Sequence, residues 1–326
     1  MIDVLYIAGA GRSGSTLLER LLGQLPQCVA VGEARHLWRE DPTTARCGCG
    51  RVLTECDNWR AVIERAGFAF DAGGFEAVMS LRQQADRIRY VPQMLVPALA
   101  GKTYAHHQAA YTAALRRLYE AFHDVGHAGI VVDSSKDVST LYLLTQMADV
   151  RLRLLHLVRD SRAVAYSWMK RIVRPDIVGR EEYMPTFSPG KAAADWMVRN
   201  TLTEAACGRA DGYLRLRYED LIADPLATLR RATDFMGLPQ ADLSFIGPDG
   251  EVYLRRETHT VGGNPMKFKA GGMRLRLDDA WQRALRPADR RLVTAATWPL
   301  LRRYGYRRDG HRQPDEHTPV EVSPTG

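Results

Sequence analysis

The sequence predicts an α/β protein built on a P-loop-type doubly wound parallel sheet, with an inserted helical region. Three observations predict it. Near the start of the chain, a glycine-rich loop joins a short apolar strand signal to an amphipathic helix signal. Later apolar runs end in polar clusters, as strands do at the ligand-binding edge of such a sheet. Between them, residues 40–128 switch to helical spacing and read as mostly helical.

The first strand spans Val4 to Ala8. Gly9, Gly11 and Gly14 permit a tight turn, and Ser15 and Thr16 open a helix with Leu17, Leu18, Leu21 and Leu22 on one face. Loop N–H groups and a helix N-terminus together suit a phosphate. Gly9, Gly14 and Thr16 fit Gly-x4-Gly-x-[Ser/Thr], but Ser15 stands where nucleotide triphosphatases carry lysine. The loop's cation is Arg12, so residues Gly11 to Thr16, with Ser13 among them, are expected to grip a phosphate without that lysine.

A second strand follows at Cys28–Val31, and Glu33 just beyond it is placed to point into the ligand crevice. Taken alone, Glu33 reads rather as a solvated charge or a partner for Arg35. Within the insertion, helices are expected at Ala61–Gly67, Phe75–Tyr90 and Ala105–Phe122, broken around Pro92, Pro97 and Gly101. The insertion is expected to cover the acceptor side of the site.

The α/β alternation resumes with a strand at Gly129–Asp133, followed by Lys136-Asp137 and a helix through Leu141, Leu144 and Met147. A strand at Val150–Val158 leads into Arg159 and a helix bearing Ser167. A strand at Gly212–Arg217 ends in Tyr218-Glu-Asp-Leu221. That repeated placement gathers Arg12, Lys136, Arg159 and Ser167 into one site. Trp196 belongs to a helix across 190–200 and reads as core. Residues 1–306 form a single domain in this reading, and the polar stretch 307–326 a disordered tail.

Composition narrows the function. The 326 residues are 45% hydrophobic and 25% charged, with a net charge of +7, which favours anionic ligands. No Lys/Arg run with interleaved aromatics occurs, so a small polyanion is expected rather than nucleic acid. No stretch of 18 apolar residues occurs, so no membrane span is expected. The chain enters a strand almost at once, and a cytoplasmic location is expected. Five cysteines (Cys28, Cys47, Cys49, Cys56 and Cys207) argue against a disulfide framework. Cys47, Cys49 and Cys56 form the one suggestive cluster. A zinc site would need a fourth ligand, for which His36 is the nearest candidate. A stapled or buried turn is the expectation, with no metal required.

These residues resemble the sulfotransferases that use 3′-phosphoadenosine-5′-phosphosulfate (PAPS). Gly11-Arg-Ser-Gly-Ser-Thr-Leu-Leu18 is similar to their 5′-phosphosulfate loop, in the arginine-containing form of the Golgi and bacterial branches. Val158-Arg-Asp-Ser-Arg-Ala-Val-Ala-Tyr-Ser167 resembles their 3′-phosphate segment, with Arg159 and Ser167 eight positions apart. Leu216 to Leu221 resembles another signature, which implies Tyr218 near the adenine. Thr260-Val-Gly-Gly-Asn-Pro-Met-Lys267, with Trp281 downstream, is similar to the loop that closes over the nucleotide and implies a binding role for Lys267. The local match to tyrosylprotein sulfotransferases, with Glu33 21 positions after Arg12 and a Lys136-Asp137 pair, implies Glu33 as catalytic base. His36 is the second candidate base. Arg12 and Lys136 would then stabilise the leaving phosphate. The implied reaction moves a sulfuryl group from PAPS to an acceptor hydroxyl on a small molecule, carbohydrate or natural product. A P-loop kinase and a non-catalytic nucleotide-binding protein on the same fold are the alternatives.

Overall fold

In the computed structural model, residues 1–127 and 129–308 are described. Five parallel strands form the central sheet: β1 (Ile2–Ala8), β2 (Cys28–Gly32), β3 (Ile130–Asp133), β4 (Val150–Val158) and β5 (Gly212–Arg217), in the order β2-β3-β1-β4-β5. The order reverses around β1, so the loop after β1 opens at a topological switch point, where α/β sheets bind ligands.

Both faces of the sheet are covered. Val4, Tyr6 and Ala8 of β1 join a core cluster on one face, whereas Leu5 and Ile7 join a second cluster on the other. A strand buried on both sides reads as a near-continuous apolar run, which is why β1 is legible in the sequence; β4, with Arg151, Arg153 and His156 between its apolar residues, is legible from its recurring Val and Leu.

The helix α1 (Ser15–Leu22) packs in the second cluster. The insertion supplies α2 (Asp57–Ala66), α3 (Ala72–Ala85), α4 (Val91–Leu95) and α5 (Lys102–Gly126), and its buried side chains pack in the first cluster. After the insertion come α6 (Val138–Leu144), α7 (Ser161–Met169), α8 (Pro189–Ala205), α9 (Tyr218–Ala223) and α10 (Pro225–Phe235). Two short strands, β6 (Glu251–Leu254) and β7 (Gly271–Arg274), pair antiparallel, and α11 (Trp281–Ala284) and α12 (Pro287–Arg303) close the described chain. No described helix is long and apolar enough to cross a membrane.

The tail expected from 307 is anchored at its start. Arg162 donates to the carbonyls of Arg308 and Arg307 at 2.8 and 2.9 Å. The rest of it, 309–326, lies outside the described residues.

Candidate active site

The loop between β1 and α1 is shaped by its backbone. Gly14 has φ +90°, and a Cβ there would fall 2.3 Å from the Tyr218 ring, so glycine alone lets that ring cover the loop. Arg12 is also left-handed, with φ 68°, a conformation that persists in a non-glycine residue only where its surroundings impose it. Arg159 Nη1 donates to the Arg12 carbonyl at 3.0 Å, and the Arg12 guanidinium lies 4.8 Å from the Trp168 ring centroid. Arg12 Nη1 contacts Met184 Sδ at 3.2 Å, while Nε and Nη2 are buried without a protein acceptor. Buried donors of this kind are costly unless an anion meets them.

Glu33 follows directly on β2 and is held from three sides. Its N–H donates to the Val261 carbonyl at 2.8 Å. Lys136 Nζ donates to Glu33 Oε1 at 2.6 Å and to the Ser134 carbonyl at 2.7 Å. His36 Nδ1 lies 2.8 Å from Glu33 Oε2. Burial pushes the Glu33 carboxyl up, but the Lys136 charge and the His36 hydrogen bond outweigh it, holding the group well below the usual carboxylate range.

Lys136 has φ 59° and sits in a segment fixed on every side. The Ser135 N–H donates to Asp133 Oδ1 at 2.6 Å, and the Tyr119 hydroxyl donates to the other oxygen of that carboxylate. Arg199 Nη1 donates to the Lys136 carbonyl at 3.1 Å, and Tyr6 donates its hydroxyl to the Asp137 carbonyl at 2.8 Å. Asp137 does not reach Glu33. It pairs with Arg35 Nη1 at 3.1 Å, and Arg35 also binds Asp86 of the insertion at 2.9 Å. Arg35, set aside in the sequence as a partner for Glu33, instead ties the insertion to the lysine segment.

Glu19 is a positioning residue that motif reasoning missed. It is buried in α1, accepts the Gly32 N–H on Oε1, and accepts the Ser134 hydroxyl at 2.7 Å on Oε2. One carboxyl therefore braces both chain segments that carry Glu33 and Lys136. Its sequence signal is a carboxylate within the apolar Leu17–Leu22 run. Burial pushes this carboxyl up to about 8, against an ordinary 4.5. The folded protein thus holds a proton that the unfolded chain releases, so Glu19 contributes stability fully below about 4.5 and loses it as pH rises through about 8. Glu19→Gln, which keeps an acceptor and gains a donor, should match the parent near pH 4.5 and gain on it as pH rises, by roughly 2–5 kcal/mol near pH 8. Urea unfolding of both proteins across the window checks this, and parallel pH curves would assign the dependence to another group.

Arg159 lies just past β4. Its Nη2 approaches the Asp278 carbonyl at 3.3 Å, its guanidinium stacks 4.5 Å from the Tyr218 ring centroid, and its buried Nε has no protein acceptor. Trp196, fully buried, donates its indole N–H to the Arg159 carbonyl at 3.0 Å. Ser167 is on α7 and faces the same cleft.

The cleft has a volume of about 590 Å³ and brings together Gly11, Arg12, Gly14, Ser15, Thr16, Glu33, Lys136, Arg159, Ser167 and Tyr218. Among its described lining residues, ten are Lys or Arg and five are Asp or Glu, which favours an anionic ligand. Thr16 Oγ1 accepts the Asn264 N–H at 3.2 Å, so the 260–264 loop rests on the phosphate loop.

Four expectations need correction. Lys267 does not face the cleft: it is buried, with Nζ 3.2 Å from the Arg46 carbonyl and 3.7 Å from Asp176. Lys269, Arg274 and Arg276 line the cleft in its place, because the short helical turn Pro265–Phe268 rotates position 267 inward. Ser13 is buried and its hydroxyl has no protein partner, yet its side chain is absent from the cleft lining. Of residues 40–128, Glu40 alone lines the cleft among those described; Trp168, Lys170, Ile172, Arg174, Met184 and Phe187 line it as well. The insertion packs on one face of the sheet, with α5 against β1, β2 and β3, because its apolar faces are taken up by the core there. Finally, His36 faces Glu33 rather than the cysteines. The imidazole beside Cys47 and Cys56 is that of His259.

A phosphate loop, unpartnered arginine donors and a lysine-bound carboxylate at one sheet edge suit a group-transfer enzyme. The chain belongs to the sulfotransferase family, whose model matches residues 5–242, and it catalyses sulfuryl transfer. It is 26% identical over 330 residues to carbohydrate sulfotransferase 6 of Homo sapiens, covering 92% of this chain and 80% of that protein. Carbohydrate sulfotransferase 5 of Homo sapiens is 26% identical over 311 residues, covering 86% and 71%. The solved sulfotransferase domain from the Synechococcus PCC 7002 olefin synthase shares the fold, with a TM-score of 0.53 at 19% identity over 94% of this chain and 95% of that one.

Proposed function

We propose that the donor is PAPS and that the acceptor is a hydroxyl group on a carbohydrate. The observation that carries the donor reading is the set of buried, unpartnered nitrogens on Arg12, within the phosphate loop, and on Arg159, which donates to the Arg12 carbonyl. Arg12, the loop amides and the Ser15 and Thr16 hydroxyls would hold the 5′-phosphosulfate, and Arg159 with Ser167 the 3′-phosphate. Tyr218 would lie against the nucleoside. The donor supplies the sulfuryl group and a phosphate leaving group. Likeness to carbohydrate sulfotransferases over most of the chain supports the acceptor class.

In this reading Glu33 takes the acceptor hydroxyl proton while the acceptor oxygen bonds to sulfur and the sulfur–phosphate oxygen bond breaks. Lys136 directs two of its three N–H groups to Glu33 and Ser134, so its third can meet the departing oxygen. Arg12 offers a planar fork to the same charge. Catalysis then rests on positioning and charge stabilisation, as in phosphoryl transfer.

Calorimetry with 3′,5′-adenosine bisphosphate and with ATP plus magnesium tests the donor. Tight bisphosphate binding with weak ATP binding is expected, and the reverse order would return the chain to the kinase reading. Arg159→Ala should weaken bisphosphate binding by about 10- to 100-fold, the worth of a charged hydrogen-bond pair. Unchanged affinity would remove Arg159 from the 3′-phosphate site.

A further inference from the structure

Outside the cleft, Cys47, Cys49, Cys56 and His259 converge. One ligand atom from each lies within 4.8 Å of every other. Cys56 Sγ is 3.3 Å and Cys47 Sγ 3.7 Å from His259 Nδ1, and Cys49 Sγ is 3.7 Å from Cys56 Sγ. Around a zinc ion with bonds of about 2.3 Å to sulfur and 2.0–2.1 Å to nitrogen, a tetrahedron has S···S edges of about 3.8 Å and S···N edges of about 3.6 Å. These three separations lie within about 0.3 Å of those edges, and the 3.7 Å between Cys49 and Cys56 is far from the 2.05 Å or so of a disulfide.

The backbone is built for this approach. The Cys47 N–H donates to the Arg51 carbonyl and the Gly50 N–H to the Cys47 carbonyl, both at 2.9 Å, folding Cys47-Gly-Cys49 into a tight knuckle. At Gly48 a Cβ would fall 2.5 Å from the Thr258 carbonyl oxygen, so glycine there lets the His259 segment come close. The Gly48 N–H donates to the Thr260 carbonyl at 2.9 Å, fixing the two segments side by side. Cys56 caps the N-terminus of α2, where the helix dipole favours a thiolate.

We propose that these four residues bind a structural zinc ion as a Cys3His site, with the three thiol protons released to solvent on binding. Four protein ligands close the coordination sphere, so the ion has no open position for chemistry. Its role follows from where His259 stands. The next residues, Thr260 to Asn264, carry the Val261 carbonyl that accepts the Glu33 N–H and the Asn264 N–H that reaches Thr16. The ion therefore clamps the 45–56 knuckle to the loop that covers the catalytic carboxylate and the phosphate loop. None of the four ligands lines the cleft among the described residues, so the site can be tested whatever the donor proves to be.

The test uses the full chain, purified without metal-affinity chromatography. Elemental analysis should find about one zinc per chain, and thiol titration after unfolding in chelator should find all five cysteines reduced. Exchange with cobalt(II) should give the tetrahedral ligand-field bands and thiolate charge-transfer absorption of such a site. Cys56→Ser and His259→Gln should each lower zinc affinity by at least about 100-fold, together with the melting temperature. If those variants fail to fold, the metal content and cobalt spectrum of the parent protein still decide. A well-folded parent lacking zinc, iron in place of zinc, or a disulfide among the three cysteines would overturn the proposal.

Discussion

Replacing Glu33 with glutamine is expected to lower turnover by about 10²–10⁴-fold, the usual worth of a positioned general base. Nucleotide affinity should stay within a few-fold, because Glu33 meets Lys136 and His36 rather than the arginines that would hold phosphate. The substitution keeps size and one acceptor, so Lys136 retains a partner and the fold should survive, which a melting curve checks. Because Glu33 is held well below the usual carboxylate range, it stays ionised as pH falls. The acid limb of kcat/KM should accordingly lie below that range in the parent and vanish in the variant. Normal turnover in Glu33→Gln, with loss in His36→Asn, would transfer the base role to His36.

The second large effect is expected at Arg12. Arg12→Ala should lower kcat by about 10²–10³-fold, as loss of one preorganised donor to a developing charge does elsewhere. Two of its nitrogens are already buried without a protein acceptor, so alanine removes a group poised for the donor and leaves no stranded carboxylate. Arg12→Lys should recover only part of the rate, since an ammonium cannot reproduce the planar fork. Single-turnover measurement separates this from binding. A loss confined to donor affinity, with the chemical step unchanged, would make Arg12 a binding residue alone.

These two residues show what was legible. The phosphate loop, the five-strand alternation and the placement of Glu33, Lys136 and Arg159 after strand ends follow from local pattern, because parallel strands buried on both faces leave short segments dense in apolar residues, even where arginines interrupt β4 and β5. Lys267 misled because a motif gives neighbours in sequence but not which way a helical turn faces. His259 was invisible as a partner of Cys56 because the two lie 203 positions apart. The short β6–β7 pair was missed for a related reason: each strand has four residues and makes sense only against the other.

The sequence by itself determined the fold class, the phosphate loop and the order in which the cleft's cations appear, since each rests on spacing within one strand–loop–helix unit. Only the tertiary structure decided which groups touch. It set Lys136 and His36 on Glu33, put Glu19 beneath both Gly32 and Ser134, turned Lys267 toward Asp176, and drew His259 to three cysteines. The physical reason is that hydrogen bonds and ion pairs act over about 3–4 Å, a range that chain separation does not encode and that packing of the sheet, helices and loops alone establishes.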